Sequence, residues 1–164
     1  EVWISDNTGK HLLEEGTDEE LGVNYAKEHG MYSRDYVYIH CPVDHGIKDG
    51  ESFTIAGIEI TTINVIGHSD DSTCFLMHLD GRKCLFSGDI VYAGGIIGLL
   101  NYPMSSLEGY HEGLPKLKNL DIDALFPGHR MFTLSSGQGV IDAGLKHLDG
   151  IFVPPSVGQR IENI

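Results

Sequence analysis

A chain of 164 residues with 41% hydrophobic and 21% charged side chains has the composition of one globular domain, not of a disordered or fibrous segment. Its formal net charge of −13 repels phosphate backbones and anionic lipid, which argues against nucleic acid and membrane as partners and leaves a small-molecule substrate. No run approaches the ~18 apolar residues of a membrane span, no leader-like segment opens the chain, and cysteine is sparse and odd in number, so the expected setting is the reducing cytoplasm.

Val2-Trp3-Ile4 reads as a short strand, so the chain is expected to begin inside a fold. Asp6 or Thr8 could cap a brief helix ending at Gly16. Thr17-Asp-Glu-Glu20 is a capping-box pattern for a second helix stopped by Gly30, and Tyr36–Ile39 reads as a strand. Phe53–Ile55 and Ile58–Val65, joined at Ala56-Gly57, are strands. Thr73–Leu79 and Arg82–Phe86, joined at Asp80-Gly81, form the clearest hairpin. A two-residue turn there pairs Leu79 with Arg82 and sets Cys84 opposite Met77, out of register with Cys74, which argues against a disulfide.

Beyond Asp89, Tyr92–Pro103 is glycine-rich and too broken for a regular element. Ser105-Ser-Leu-Glu108 opens a helix that should bury Leu107, Tyr110, Leu114 and Leu117. Ile122–Phe126 is a strand, and Ser135–Gln138 starts a last helix with Ile141, Leu145 and Leu148 on one face. Alternating strands and helices imply a layered α/β domain over 1–150, with a tail over 151–164 that looks disordered at Pro154-Pro155.

Three apolar runs end in Gly followed by a metal-type ligand: Ile63–Gly67-His68, Leu85–Gly88-Asp89 and Ala124–Gly128-His129. Glycine allows a sharp turn at a strand end, which throws the next side chain out at the rim of a sheet. Two imidazoles and a carboxylate on one rim make a divalent metal site. Tyr92, Asn101 and Tyr102, in the loop after Asp89, are the candidate substrate contacts. The other histidines have plainer readings: His78 exposed beside a turn, His11, His29 and His147 exposed on helices, and His111 half-buried packing. Asp70 and Asp71 brace the turn after His68. No general acid or base can be assigned.

Taken in order, Gly67-His68-Ser69, the hairpin, Leu85-Phe-Ser-Gly-Asp89 and Phe126-Pro-Gly-His129 resemble the metallo-β-lactamase superfamily. His68 and Asp89 are 21 residues apart and Asp89 and His129 are 40, and the resemblance runs from Val2 to about Leu148. It implies an αββα sandwich with a metal pair at one rim. His68 would complete the first site, Asp89 would bridge both metals, and His129 would ligate the second. Zinc suits such ligands and generates a nucleophile from water at neutral pH. The implied activity is hydrolysis of small esters, thioesters or lactones.

The family's His-x-His-x-Asp-His signature does not occur in the sequence. His40-Cys-Pro-Val-Asp44-His45 imitates it, with Pro42 in place of the middle histidine, and lies too near His68 to be its equivalent. The expectation is therefore a partial domain, lacking the first strands and the signature, that is inactive by itself. Two alternatives accompany this reading: a mononuclear iron oxygenase acting on persulfides, with a two-His-one-carboxylate set, or a non-catalytic relic.

Overall fold

The structure, a computed structural model, describes residues 1–6 and 8–158, and divides into two compact units, Glu1–Lys48 and Asp49–Ile164. In the first unit, strand β1 (Trp3–Ser5) pairs in parallel with β2 (His45–Ile47), and two short helices, α1 (Gly9–Glu15) and α2 (Val23–Glu28), lie between them in sequence. The capping-box hydrogen bonds form, with Thr17 N–H donating to Glu20 Oε2 at 2.9 Å and Glu20 N–H donating back to Thr17 Oγ1 at 3.3 Å, but they close a turn and not a helix start: α2 begins at Val23, with Gly22 at its N-cap. The expected strand at Tyr36–Ile39 is not one. Its side chains alternate, with Tyr36 and Tyr38 half-buried and Val37 and Ile39 exposed, but no neighbouring strand pairs with its backbone among the described residues. Alternation without a ladder partner leaves an extended segment.

The second unit is built on a five-stranded sheet: β3 (Ser52–Ile55), β4 (Ile58–Asn64), β5 (Thr73–Leu79), β6 (Arg82–Gly88) and, at the far edge, β9 (Ala124–Pro127). Ala56-Gly57 and Asp80-Gly81 turn with positive φ at both residues, the geometry that suits two-residue hairpins. The register places Leu79 opposite Arg82 and Met77 opposite Cys84, and Cys74 and Cys84 are free and buried.

β9 joins β6 in parallel, so the chain must cross over between them. The crossover starts with strands β7 (Val91–Tyr92) and β8 (Ile96–Ile97), which pair antiparallel. The glycine-rich run therefore does contain a small hairpin: Gly94 and Gly95 supply its turn. Helix α3 (Leu107–Gly113) follows and tightens into a 3-10 turn over Leu114–Leu117. The capping serine is Ser106, whose Oγ accepts from Gly109 N–H at 3.1 Å, one residue later than the sequence pattern suggests. Leu107, the first helical residue, is 37% exposed, while Tyr110, Leu114 and Leu117 are buried as expected.

Helix α4 (Gly137–Leu148) completes the unit. Its Ile141 and Leu148 join Val65, Cys74, Leu85, Leu125, Tyr110, Leu114 and Leu117 in one core on the helix-bearing face of the sheet. Two histidines differ from expectation. His111 is exposed, not half-buried packing. His147 is half-buried because its Nδ1–H donates to the Gly95 carbonyl at 3.1 Å. The segment after α4 is also more ordered than its prolines suggest. Ile97 exchanges backbone hydrogen bonds with Pro155 and Val157, Gly158 N–H donates to Leu99 O, and Pro154 and Ser156 are buried. The rest of the expected tail, 159–164, lies outside the described residues.

Candidate metal centre

Each of the three candidate ligands is set by a strand end and a glycine. After β4, Gly67 adopts φ +137°, and a Cβ there would stand 2.6 Å from the ring of buried Tyr110. Only glycine fits such a conformation at such a contact. His68 follows in a turn braced by Ser69 N–H to Ser72 Oγ at 3.1 Å and by Ser69 Oγ–H to Asp71 Oδ1 at 3.2 Å. The turn is tied to the start of α3, where Ser106 N–H and Ser105 Oγ–H both donate to Gly67 O. Asp89 follows the end of β6 and His129 the end of β9. These two ends are clamped by Gly128 N–H donating to Gly88 O at 2.7 Å.

The three side chains meet around one oxygen. Asp89 Oδ2 lies 3.7 Å from His68 Nε2 and 3.5 Å from His129 Nε2. Two ligands sharing a tetrahedral ion at ~2.0–2.2 Å stand roughly 3.3–3.6 Å apart; the His129 separation falls in that range and the His68 separation lies just beyond it. Among the described residues no three side chains close into a complete cation cage; the fit rests on the two pairs that share Asp89. His68 Nδ1 lies 2.6 Å from Gly98 O. A carbonyl only accepts, so the ring proton sits on Nδ1 and the Nε2 lone pair faces Asp89. A cavity of about 360 Å³ opens here, walled by His68, Thr73, Ser87, Asp89, Gly128 and His129.

Tyr92 is buried, with its hydroxyl donating to the Asp89 carboxylate. Burial first, then that hydrogen bond and the carboxylate charge, hold its phenol well above the ordinary tyrosine range. The Arg130 guanidinium lies over its ring, 5.6 Å from the centroid. Asn101 is exposed and Tyr102 half-buried, both on the loop between β8 and α3.

Two backbone positions complete the site, of which Gly98 carries no signal in sequence. Gly98 offers a backbone carbonyl and is itself fixed by N–H donation to Ile90 O, which also accepts from the Tyr110 hydroxyl. Gly128 is needed for space, because a Cβ there would stand 2.6 Å from Asp89 Oδ1. In the first unit, the imitation motif is occupied locally. The His45 ring packs on Trp3 at 4.1 Å, its Nε2 lies 3.5 Å from Glu1 Oε2, and Asp44 Oδ2 accepts from Val2 N–H.

Comparison with known proteins agrees with this architecture. The chain is 32% identical over 122 residues to the human "Acyl-coenzyme A thioesterase MBLAC2", covering 69% of this chain and 43% of that protein. It is 33% identical over 94 residues to the "Atrochrysone carboxyl ACP thioesterase" of Aspergillus fumigatus, covering 57% and 28%. With "Hydroxyacylglutathione hydrolase" of Hydrogenovibrio crunogenus it shares 30% identity over 89 residues, covering 54% and 31%. The chain thus spans less than half the length of these relatives. The solved structure of the BLEG-1 B3 metallo-beta-lactamase superposes with a TM-score of 0.60 at 21% identity, covering 91% of this chain and 65% of that one, a likeness of fold. No helix among the described residues is long and apolar enough to cross a membrane. The sequence model of the metallo-beta-lactamase superfamily matches residues 8–129, most of the chain, and the protein belongs to that superfamily, with its α/β fold.

Proposed function

We propose that the protein carrying this chain is a zinc-dependent hydrolase of small esters, thioesters or lactones, with thioesters the favoured class. The observation that carries this reading is Asp89 Oδ2 standing between the Nε2 atoms of His68 and His129 at the rim of an open cavity. The choice of thioesters is supported by relatives named as acyl-coenzyme A and acyl-carrier thioesterases.

His68, Asp89 and His129 would hold the metal, which when bound supplies Lewis acidity and an activated water at neutral pH. The chain's own groups do the positioning. The Gly98 carbonyl keeps the His68 proton on Nδ1, so that Nε2 stays free to ligate. Tyr92 keeps its proton, donates it to Asp89 as a hydrogen bond and so fixes the carboxylate's orientation. Asn101 and Tyr102 lie on the exposed loop where a substrate can meet them. Water adds to the thioester carbonyl, and the thiol leaves as the carbon–sulfur bond breaks.

The test is turnover of an acyl thioester, an aryl ester and a lactone by the purified whole protein, metal-free and then loaded with zinc or with iron. Zinc-dependent thioester cleavage is the expected result. Absence of hydrolysis with every metal overturns the reading, and oxygen uptake by the iron form on a persulfide would replace it with the oxygenase alternative.

A further inference from the structure

Besides the rim cavity, the second unit has a cleft of about 340 Å³ lined by Leu99, Leu100, Asn101, Leu107, Ser156 and Gly158. Its size falls within the ~300–1,000 Å³ of small-molecule sites. None of the six lining residues is charged, although the chain carries a net charge of −13. Leu100 and Leu107 are each 37% exposed, so large apolar side chains face solvent here where burial would be favourable. Leu107 is the first residue of α3, and Gly158 N–H donates to Leu99 O, joining two of the lining residues.

The cleft is tied to the candidate metal centre by hydrogen bonds. Leu99 directly follows Gly98, whose carbonyl holds His68 Nδ1. Leu100 N–H donates to Ser105 Oγ at 3.0 Å, and Ser105 Oγ–H donates to the carbonyl of Gly67, the neighbour of His68. An uncharged, leucine-walled cleft so close to a carbonyl-cleaving centre suits the apolar half of a substrate whose reactive carbonyl sits on the metal. Resting on the thioester reading above, we propose that this cleft is the acyl-chain subsite, and that it selects acyl thioesters of medium chain length. Ser156 and Asn101 supply the only polar edges, and no charged group of the lining would oppose entry of a hydrocarbon chain.

The experiment measures binding without turnover. Neutral, non-hydrolysable S-ethyl, S-hexyl and S-decyl thioethers of N-acetylcysteamine are titrated calorimetrically into the whole protein. Each methylene that enters the cleft should tighten binding by up to about fourfold. Affinity should therefore climb from ethyl to hexyl and then level off as the cleft fills. Leu107→Asp should flatten the series, and so should Leu100→Gln. An aspartate in the first turn of a helix is favourable, so the first variant tests the cleft with little threat to α3. Affinity independent of chain length in the wild type overturns the proposal, as does a slope that survives both substitutions. A length-dependent affinity in a protein that cleaves no thioester would leave the subsite standing and remove the hydrolase reading instead.

Discussion

The Nδ1–H of His68 donates to the carbonyl of Gly98, 30 residues further along the chain, at 2.6 Å. One short bond joins the turn after β4 to the end of the β7–β8 hairpin and decides which nitrogen of the ring is free. The same carbonyl-bearing glycine is anchored through Ile90 O, so the orientation of His68 depends on the whole crossover from β6 to α3.

Asp89→Asn should abolish hydrolysis and lower zinc affinity by more than the roughly 10–100-fold that loss of an outer-shell partner costs. The carboxylate is a rim group, 28% exposed, outside the apolar core, so thermal stability in the metal-free state should hardly change. Metal content after dialysis, read beside the melting curve, checks both halves. Wild-type zinc content in this variant would mean that Asp89 is a structural residue.

Gly128→Ala separates the site from the fold. Gly128 is exposed, and the methyl group's close contact is Asp89 Oδ1, the movable end of a side chain; the Gly88 backbone lies at ordinary distance, 3.4 Å or more. Stability should therefore stay within about 0.5 kcal/mol of wild type, while zinc affinity falls by on the order of 10–100-fold because the carboxylate is displaced. Gly67→Ala should behave in the opposite way. It faces both a φ of +137° and the Tyr110 ring, and should cost about 1–3 kcal/mol from backbone strain alone. Paired denaturation and zinc titration of the two variants would show whether the order is reversed.

Cys74 gives the molecule a specific alkaline weakness. Burial raises its thiol from 9.0 to about 12. A raised pKa in the folded state means that the unfolded chain loses the proton first. The stability from the protonated thiol is therefore complete below pH 9 and declines as pH rises toward 12. Cys74→Ala should flatten the fall in stability across that window, at the cost of a small cavity. Urea midpoints at pH 8 and pH 10.5 for both proteins measure it, and equal pH slopes would show that other groups dominate.

Much of the second unit was legible because its signals are local. Ala56-Gly57 and Asp80-Gly81 specify their own turns, and each turn fixes a register, so the opposition of Met77 and Cys84 follows from two residues. The convergence of His68, Asp89 and His129 was legible for a related reason: each follows a strand run that ends in glycine. What the sequence hid depends on contacts far apart in the chain. Tyr36–Ile39 has the alternation of a strand but, among the described residues, no neighbouring strand to pair with. The segment around Pro155 looks like a loose end until Ile97 supplies both a donor and an acceptor. Leu107, expected in the core, is partly exposed as the first residue of α3, and the cap falls on Ser106 instead of Ser105, a one-residue choice that local composition does not determine. The role of Gly98 was invisible because it acts through a carbonyl that every residue possesses.

The most direct test of the central claim is anomalous diffraction at the zinc edge from crystals of the whole protein grown with zinc. The account predicts a peak about 2.0–2.2 Å from Asp89 Oδ2 and at the same distance from the Nε2 of His68 or His129, with a second such peak if the carboxylate bridges two ions. A zinc peak that touches none of these three side chains would contradict it.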